Sequence, residues 1–113
     1  NPVFPTMATE RRIAWAGLSP SDFELVTTYE NSRFCKPNPD YYRDVMKTLG
    51  VCPEECLMVG NDVAEDMIAE QLGACVFLLT DCLLNSKGAD ISSYPQGSFQ
   101  ELISFIKNLN CDN

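Results

Sequence analysis

Apolar and polar positions along the chain alternate between two periods, one helical and one extended. From Thr6 to Gly17 good helix formers dominate, and Thr6 can cap the segment, which predicts a first helix. Glu24 to Tyr29, "ELVTTY", is rich in strand formers and lies between the turn-like stretches "LSPSD" and "ENS", which predicts a strand. In "KPNPDYYRDVMKTLG", Asn38 suits the N-cap, Pro39 the first helical position and Gly50 the C-terminal cap. Tyr42, Val45, Met46 and Leu49 then fall at i, i+3, i+4 and i+7, one apolar face.

Cys56 to Val59 reads as a short apolar strand, and Val63 to Leu72 as a helix stopped by Gly73. Ala74 to Thr80, "ACVFLLT", is a continuous apolar run, as in a strand covered on both faces. Residues 81 to 97 are rich in Gly, Ser, Asn and Asp and predict a surface loop. Ser98 with Glu101 forms a capping box for a last helix, with Phe99, Leu102, Ile103, Ile106 and Leu109 on one side. The order helix, strand, helix, strand, helix, strand, loop, helix implies an α/β fold with a parallel sheet and helices on both faces. Ligands of such sheets bind beyond the carboxyl ends of the strands, where Asp62 falls.

Length and charge narrow the functions. The 113 residues fit at most one domain with a modest core. Eight basic against sixteen acidic residues leave a net charge of -8, which argues against a nucleic-acid partner. A small anionic substrate stays compatible, because one cation or metal can reverse the field inside a site. No apolar stretch approaches the ~20 residues of a membrane span, and no basic segment precedes an apolar one as in a signal peptide. The cysteines are Cys35, Cys52, Cys56, Cys75, Cys82 and Cys111, and there is no histidine. One close pair without a second pair makes a poor zinc site, so the expectation is buried or incidental thiols in a reducing cytoplasm.

Two stretches could carry chemistry. In "MVGNDVAEDM", Asp62 can cap the following helix, and Asp66, one turn on, can be a solvated acid. Alternatively, two carboxylates on one helical face repel each other unless a cation lies between or beside them. Hard oxygen ligands of that kind suit Mg2+. Lys36 lies in "FCKPNPDYY" on a loop stiffened by Pro37 and Pro39. It is either an exposed loop lysine or an ammonium held toward a phosphoryl group.

Taken together, Lys-Pro-x-Pro, a helix, strand-Gly-Asn-Asp-x-x-x-Asp, a helix and a Gly-Ala strand resemble the haloacid dehalogenase superfamily, especially its Mg2+-dependent phosphatases. The resemblance covers roughly residues 1 to 80 and is strongest over 34 to 80. It implies a Rossmann-like core and an aspartyl-phosphate route on a small phosphorylated metabolite. Lys36 corresponds to the lysine that steadies the phosphate and the aspartyl-phosphate. Asp62 corresponds to the Mg2+ ligand, and Asp66 to a residue that binds metal-bound water or orients Lys36. Asn61 is the alternative occupant of the first acidic slot. "NPVFP" is similar to the stretch directly after the family's second motif, which places Asn1 with Lys36 at the substrate.

The chain departs from the family in lacking the Asp-x-Asp motif that provides the nucleophile: no two of its aspartates are separated by one residue. The second-motif residue and any cap domain are also expected outside it. The expectation is therefore the C-terminal part of such a core, incomplete in this chain, which needs the N-terminal half of the same protein to complete the sheet and is inactive alone. A non-enzymatic binding module is the alternative. A receiver-type signalling domain fits less well, since there the Lys-Pro follows the acidic strands, whereas Lys36 precedes Asp62. Dehalogenation itself needs no metal and fits less well too.

Overall fold

The computed structural model describes residues 1–111, with side chains through Leu109. The chain forms two compact units, Asn1–Val51 and a second that begins at Cys52.

In the first unit, helix α1 (Thr6–Trp15) follows Pro5, so Thr6 is its first residue rather than its cap. The helix start is held from outside: the Thr6 N–H donates to the Glu30 carboxylate at 2.8 Å, and the Thr6 hydroxyl lies 2.8 Å from the same oxygen. Helix α2 (Pro39–Leu49) has the expected ends. Asn38 Oδ1 accepts the Asp40 N–H at 2.9 Å, Pro39 opens the helix, and Gly50 closes it at φ 69°. Tyr42 and Met46 are buried, while Leu49, at the end of the predicted face, is exposed.

The predicted strand over Glu24–Tyr29 does not form. Residues 25–28 have no ladder partner among the described residues; only at Thr28 is the backbone shown to be extended, and a 3-10 turn follows at Tyr29–Asn31. The Tyr29 N–H goes to the Phe4 carbonyl at 2.9 Å. Strand formers favour an extended backbone, but a strand also needs a neighbour to take its N–H and C=O groups.

The second unit is built on a three-stranded parallel sheet of order β1-β2-β3. Its strands are β1 (Leu57–Gly60), β2 (Cys75–Leu79) and the two-residue β3 (Gln96–Gly97), the last falling inside the expected loop. The register runs from Leu57↔Cys75 to Gly60↔Leu78 and continues with Leu78↔Gln96 and Leu79↔Gly97. Val76, Phe77 and Leu78 are consecutive and all buried, the signature of a strand covered on both faces.

The β1-to-β2 crossover is a single α-turn, α3 (Val63–Asp66), followed by a 3-10 turn at Met67–Leu72, rather than one continuous helix. Winding changes at Asp66, whose φ of -102° lies off the α-helical value near −63°. Its carboxylate turns back to the preceding loop. Gly73, at φ 104°, ends the crossover.

Helix α4 (Phe99–Cys111) starts with the expected capping box: the Ser98 N–H meets Glu101 Oε1, and the Glu101 N–H meets Ser98 Oγ, both at 3.3 Å. Its predicted apolar side is only partly used. Leu102 is buried and Phe105 packs on Phe77 with ring centroids 5.1 Å apart, whereas Phe99, Ile103, Ile106 and Leu109 are exposed. Contact with the sheet runs through the narrower Leu102–Phe105 line. Among the described residues no helix is long and apolar enough to cross a membrane.

Candidate functional site

The acidic turn leaves the carboxyl end of β1. Asp62 is the N-cap of α3, and its Oδ1 accepts the Glu65 N–H at 3.0 Å. The Asp62 N–H donates to Asp66 Oδ2 at 3.0 Å, and the Asp62 carbonyl accepts the Asp66 N–H at 2.8 Å. Asp66 is 3% exposed, so one of the two carboxylates braces the loop from inside. Asp62 is half-buried, and its second oxygen, Oδ2, accepts no hydrogen bond from the described residues. The electrostatic cost expected from two facing acids is thus eased locally: each carboxylate caps a backbone N–H.

Gly60 makes that arrangement possible. A Cβ on Gly60 would collide with the carboxylate and Cβ of Asp66. The glycine is there for close approach, not for an unusual φ. The turn is also stitched to the segment after β2. The Asn61 Nδ2 donates to the Cys82 carbonyl at 2.7 Å, Leu84 N–H donates to the Asn61 carbonyl at 2.8 Å, and Val63 N–H donates to the Leu84 carbonyl at 3.0 Å. Sequence reasoning placed Gly60 in the motif and Cys82 among the thiols but gave neither them nor Leu84 a role in the turn. A glycine at the end of a strand was the visible signal for Gly60, and two leucines inside a polar loop for Cys82–Leu84.

In the first unit the structure brings Asn1 and Lys36 together. The Lys36 N–H donates to Asn1 Oδ1 at 3.1 Å, and Asn1 Nδ2 donates to the Lys36 carbonyl at 3.3 Å. Asn1 therefore holds the backbone of the lysine from both sides, and Lys36 is half-buried. A concavity of about 550 Å³ in this unit, between Leu25, Thr27, Phe34, Tyr41 and Val45, includes neither residue.

Cys35, Cys52, Cys56, Cys75 and Cys82 are free thiols, and the side chain of Cys111 lies outside the described residues. Burial, helped by the neighbouring Glu55, Cys52 and Glu54, pushes the Cys56 thiol up. Among the described residues no three His, Cys, Asp or Glu side chains converge as a metal cage. The donor chemistry of the acidic turn still fits Mg2+, which is bound through one or two carboxylates and keeps waters for a phosphate to replace. Asp62 Oδ2 is such an oxygen, and the Asn61 amide oxygen is a second of the same hard class.

Comparisons with known proteins agree with the fold and the family. A family model described as haloacid dehalogenase-like hydrolase matches residues 4–73. The chain is 32% identical over 96 residues to a glyceraldehyde 3-phosphate phosphatase of Methanocaldococcus jannaschii, a match that covers 80% of this chain and 40% of that protein. Among solved structures, a phosphatase of Thermococcus onnurineus superposes with a TM-score of 0.67 at 23% identity, covering 90% of this chain and 46% of that one. A Listeria monocytogenes protein of no stated function superposes with a TM-score of 0.68 at 17% identity, covering 91% of this chain and 65% of that one. The chain thus spans less than half the length of the curated phosphatase it matches.

Proposed function

This chain belongs to the haloacid dehalogenase-like hydrolases, and from that premise we propose that its protein is a Mg2+-dependent phosphohydrolase of a small phosphorylated metabolite. One observation carries the reading: at the carboxyl end of a parallel strand, Asp66 is buried as a brace while Asp62 keeps Oδ2 unbonded among the described residues. Asp62 would hold Mg2+, with the Asn61 oxygen as the alternative ligand. Bound there, the ion would offset phosphoryl charge as the transition state forms.

The remaining roles belong to this chain's own side chains. The Lys36 ammonium would bind the phosphoryl oxygens, and Asn1 would fix its position by gripping the Lys36 backbone. Asp66, whose carboxylate accepts the Asp62 N–H, would hold the metal-bound water or orient Lys36. The nucleophile in this reading is an aspartate supplied by the rest of the protein. Its oxygen attacks phosphorus as the substrate's ester P–O bond breaks, and water then cleaves the acyl phosphate. The rest of the protein would also pair with the edge of β1 opposite β2, an edge with no strand on it among the described residues of this unit.

The test is phosphate release from p-nitrophenyl phosphate by the full-length protein. Turnover is expected with Mg2+ and lost on chelation, and Lys36→Ala is expected to lower kcat by about a hundredfold. Turnover unchanged by chelation contradicts the metal role, and full activity of Lys36→Ala contradicts the lysine's.

A further inference from the structure

Asp62 is held through the residues on either side of it. Asn61 accepts the Leu84 N–H at 2.8 Å, and Val63 donates to the Leu84 carbonyl at 3.0 Å, so both neighbours of Asp62 bond to one residue. The result is an isolated parallel bridge between Asp62 and Leu84, outside the named strands. A third bond comes from a side chain, Asn61 Nδ2 to the Cys82 carbonyl at 2.7 Å. Three hydrogen bonds thus tie this loop to the acidic turn on either side of the Asp62 carboxylate.

We infer that Cys82–Leu84 is a positioning strap for the acidic turn, and that Asn61 serves as its latch through Nδ2 rather than as a metal ligand. The inference rests on the reading of Asp62 as the metal carboxylate. An amide can donate to the Cys82 carbonyl, whereas a carboxylate at the same place can only accept and would face that oxygen repulsively. The latch limits the movement of residue 61, and the bridge to Leu84 transmits that limit to the backbone of Asp62. Partners that orient a metal ligand in this way are worth roughly tenfold to a hundredfold in metal affinity.

Two measurements on the full-length protein test it. The first is amide hydrogen exchange at Leu84, whose N–H is bonded to Asn61. Asn61→Ala keeps the backbone carbonyl that Leu84 bonds and removes only the Nδ2 bond to Cys82; losing that latch is expected to speed the exchange by about tenfold, and an unchanged rate overturns the strap. The second is Mg2+ affinity by titration calorimetry. Asn61→Ala and Asn61→Asp are both expected to bind Mg2+ at least about tenfold more weakly. An Asn61→Asp protein that binds as tightly as wild type, or more tightly, makes residue 61 a ligand and overturns the latch. A wild-type protein that binds no Mg2+ contradicts the metal reading instead, and the exchange rate alone then decides the strap.

Discussion

At Gly60 the absence of a side chain does structural service for a residue six positions on. Asp66 lies against the bare Cα and reaches the Asp62 N–H from there. Gly60→Ala is therefore expected to lower stability by about 1–3 kcal/mol, the ordinary cost of overpacking, and to weaken Mg2+ binding with it. A denaturant midpoint unchanged by the substitution contradicts this. Glu30 gives a second test at the same scale. Hydrogen bonds from Thr6 hold its carboxyl below the usual carboxylate range. A depressed folded pKa means that its contribution is present above the unfolded value and is lost as pH falls through the folded one. The Thr6 amide should stay protected from exchange through the usual carboxylate titration and lose that protection only at lower pH. Loss at the ordinary carboxylate pH contradicts the arrangement.

Elements whose ends are written in local chemistry were legible. Helix α2 shows this, since Asn38, Pro39 and Gly50 act through bonds and dihedrals within their own turn. Asn38→Ala should destabilise the first unit by about 1 kcal/mol, measured by thermal unfolding, and no shift would mean that the cap carries nothing. Strand β2 was legible as well, because three consecutive buried apolar residues leave no polar face. "ELVTTY" misled because strand propensity is visible in a segment while its partner is not. Strand β3 was missed because its two residues, Gln96 and Gly97, carry no periodicity, and their pairing is fixed by β2. In the proposed site, residue type and spacing single out Asp62 and Lys36 as candidates. The Asn1 grip on Lys36 and the Cys82–Leu84 strap join residues tens of positions apart, and no local pattern encodes them.

Over the whole molecule, Lys36 belongs to the first unit and Asp62 to the second. Large apolar side chains such as Met7, Trp15 and Tyr29 are at least 70% exposed. A net charge of -8 opposes an anionic substrate at long range, so binding must rest on local cations: Lys36 and the metal in the proposed reading. The most direct measurement is Mg2+-dependent phosphate release by the full-length protein carrying Asp62→Asn. Asparagine caps a helix about as well as aspartate but brings no charge to a metal. The proposed role predicts an unfolding temperature close to wild type, with Mg2+ affinity and turnover both reduced by about a hundredfold or more. Full Mg2+-dependent turnover by this variant would contradict it and leave Asp62 as a helix cap alone.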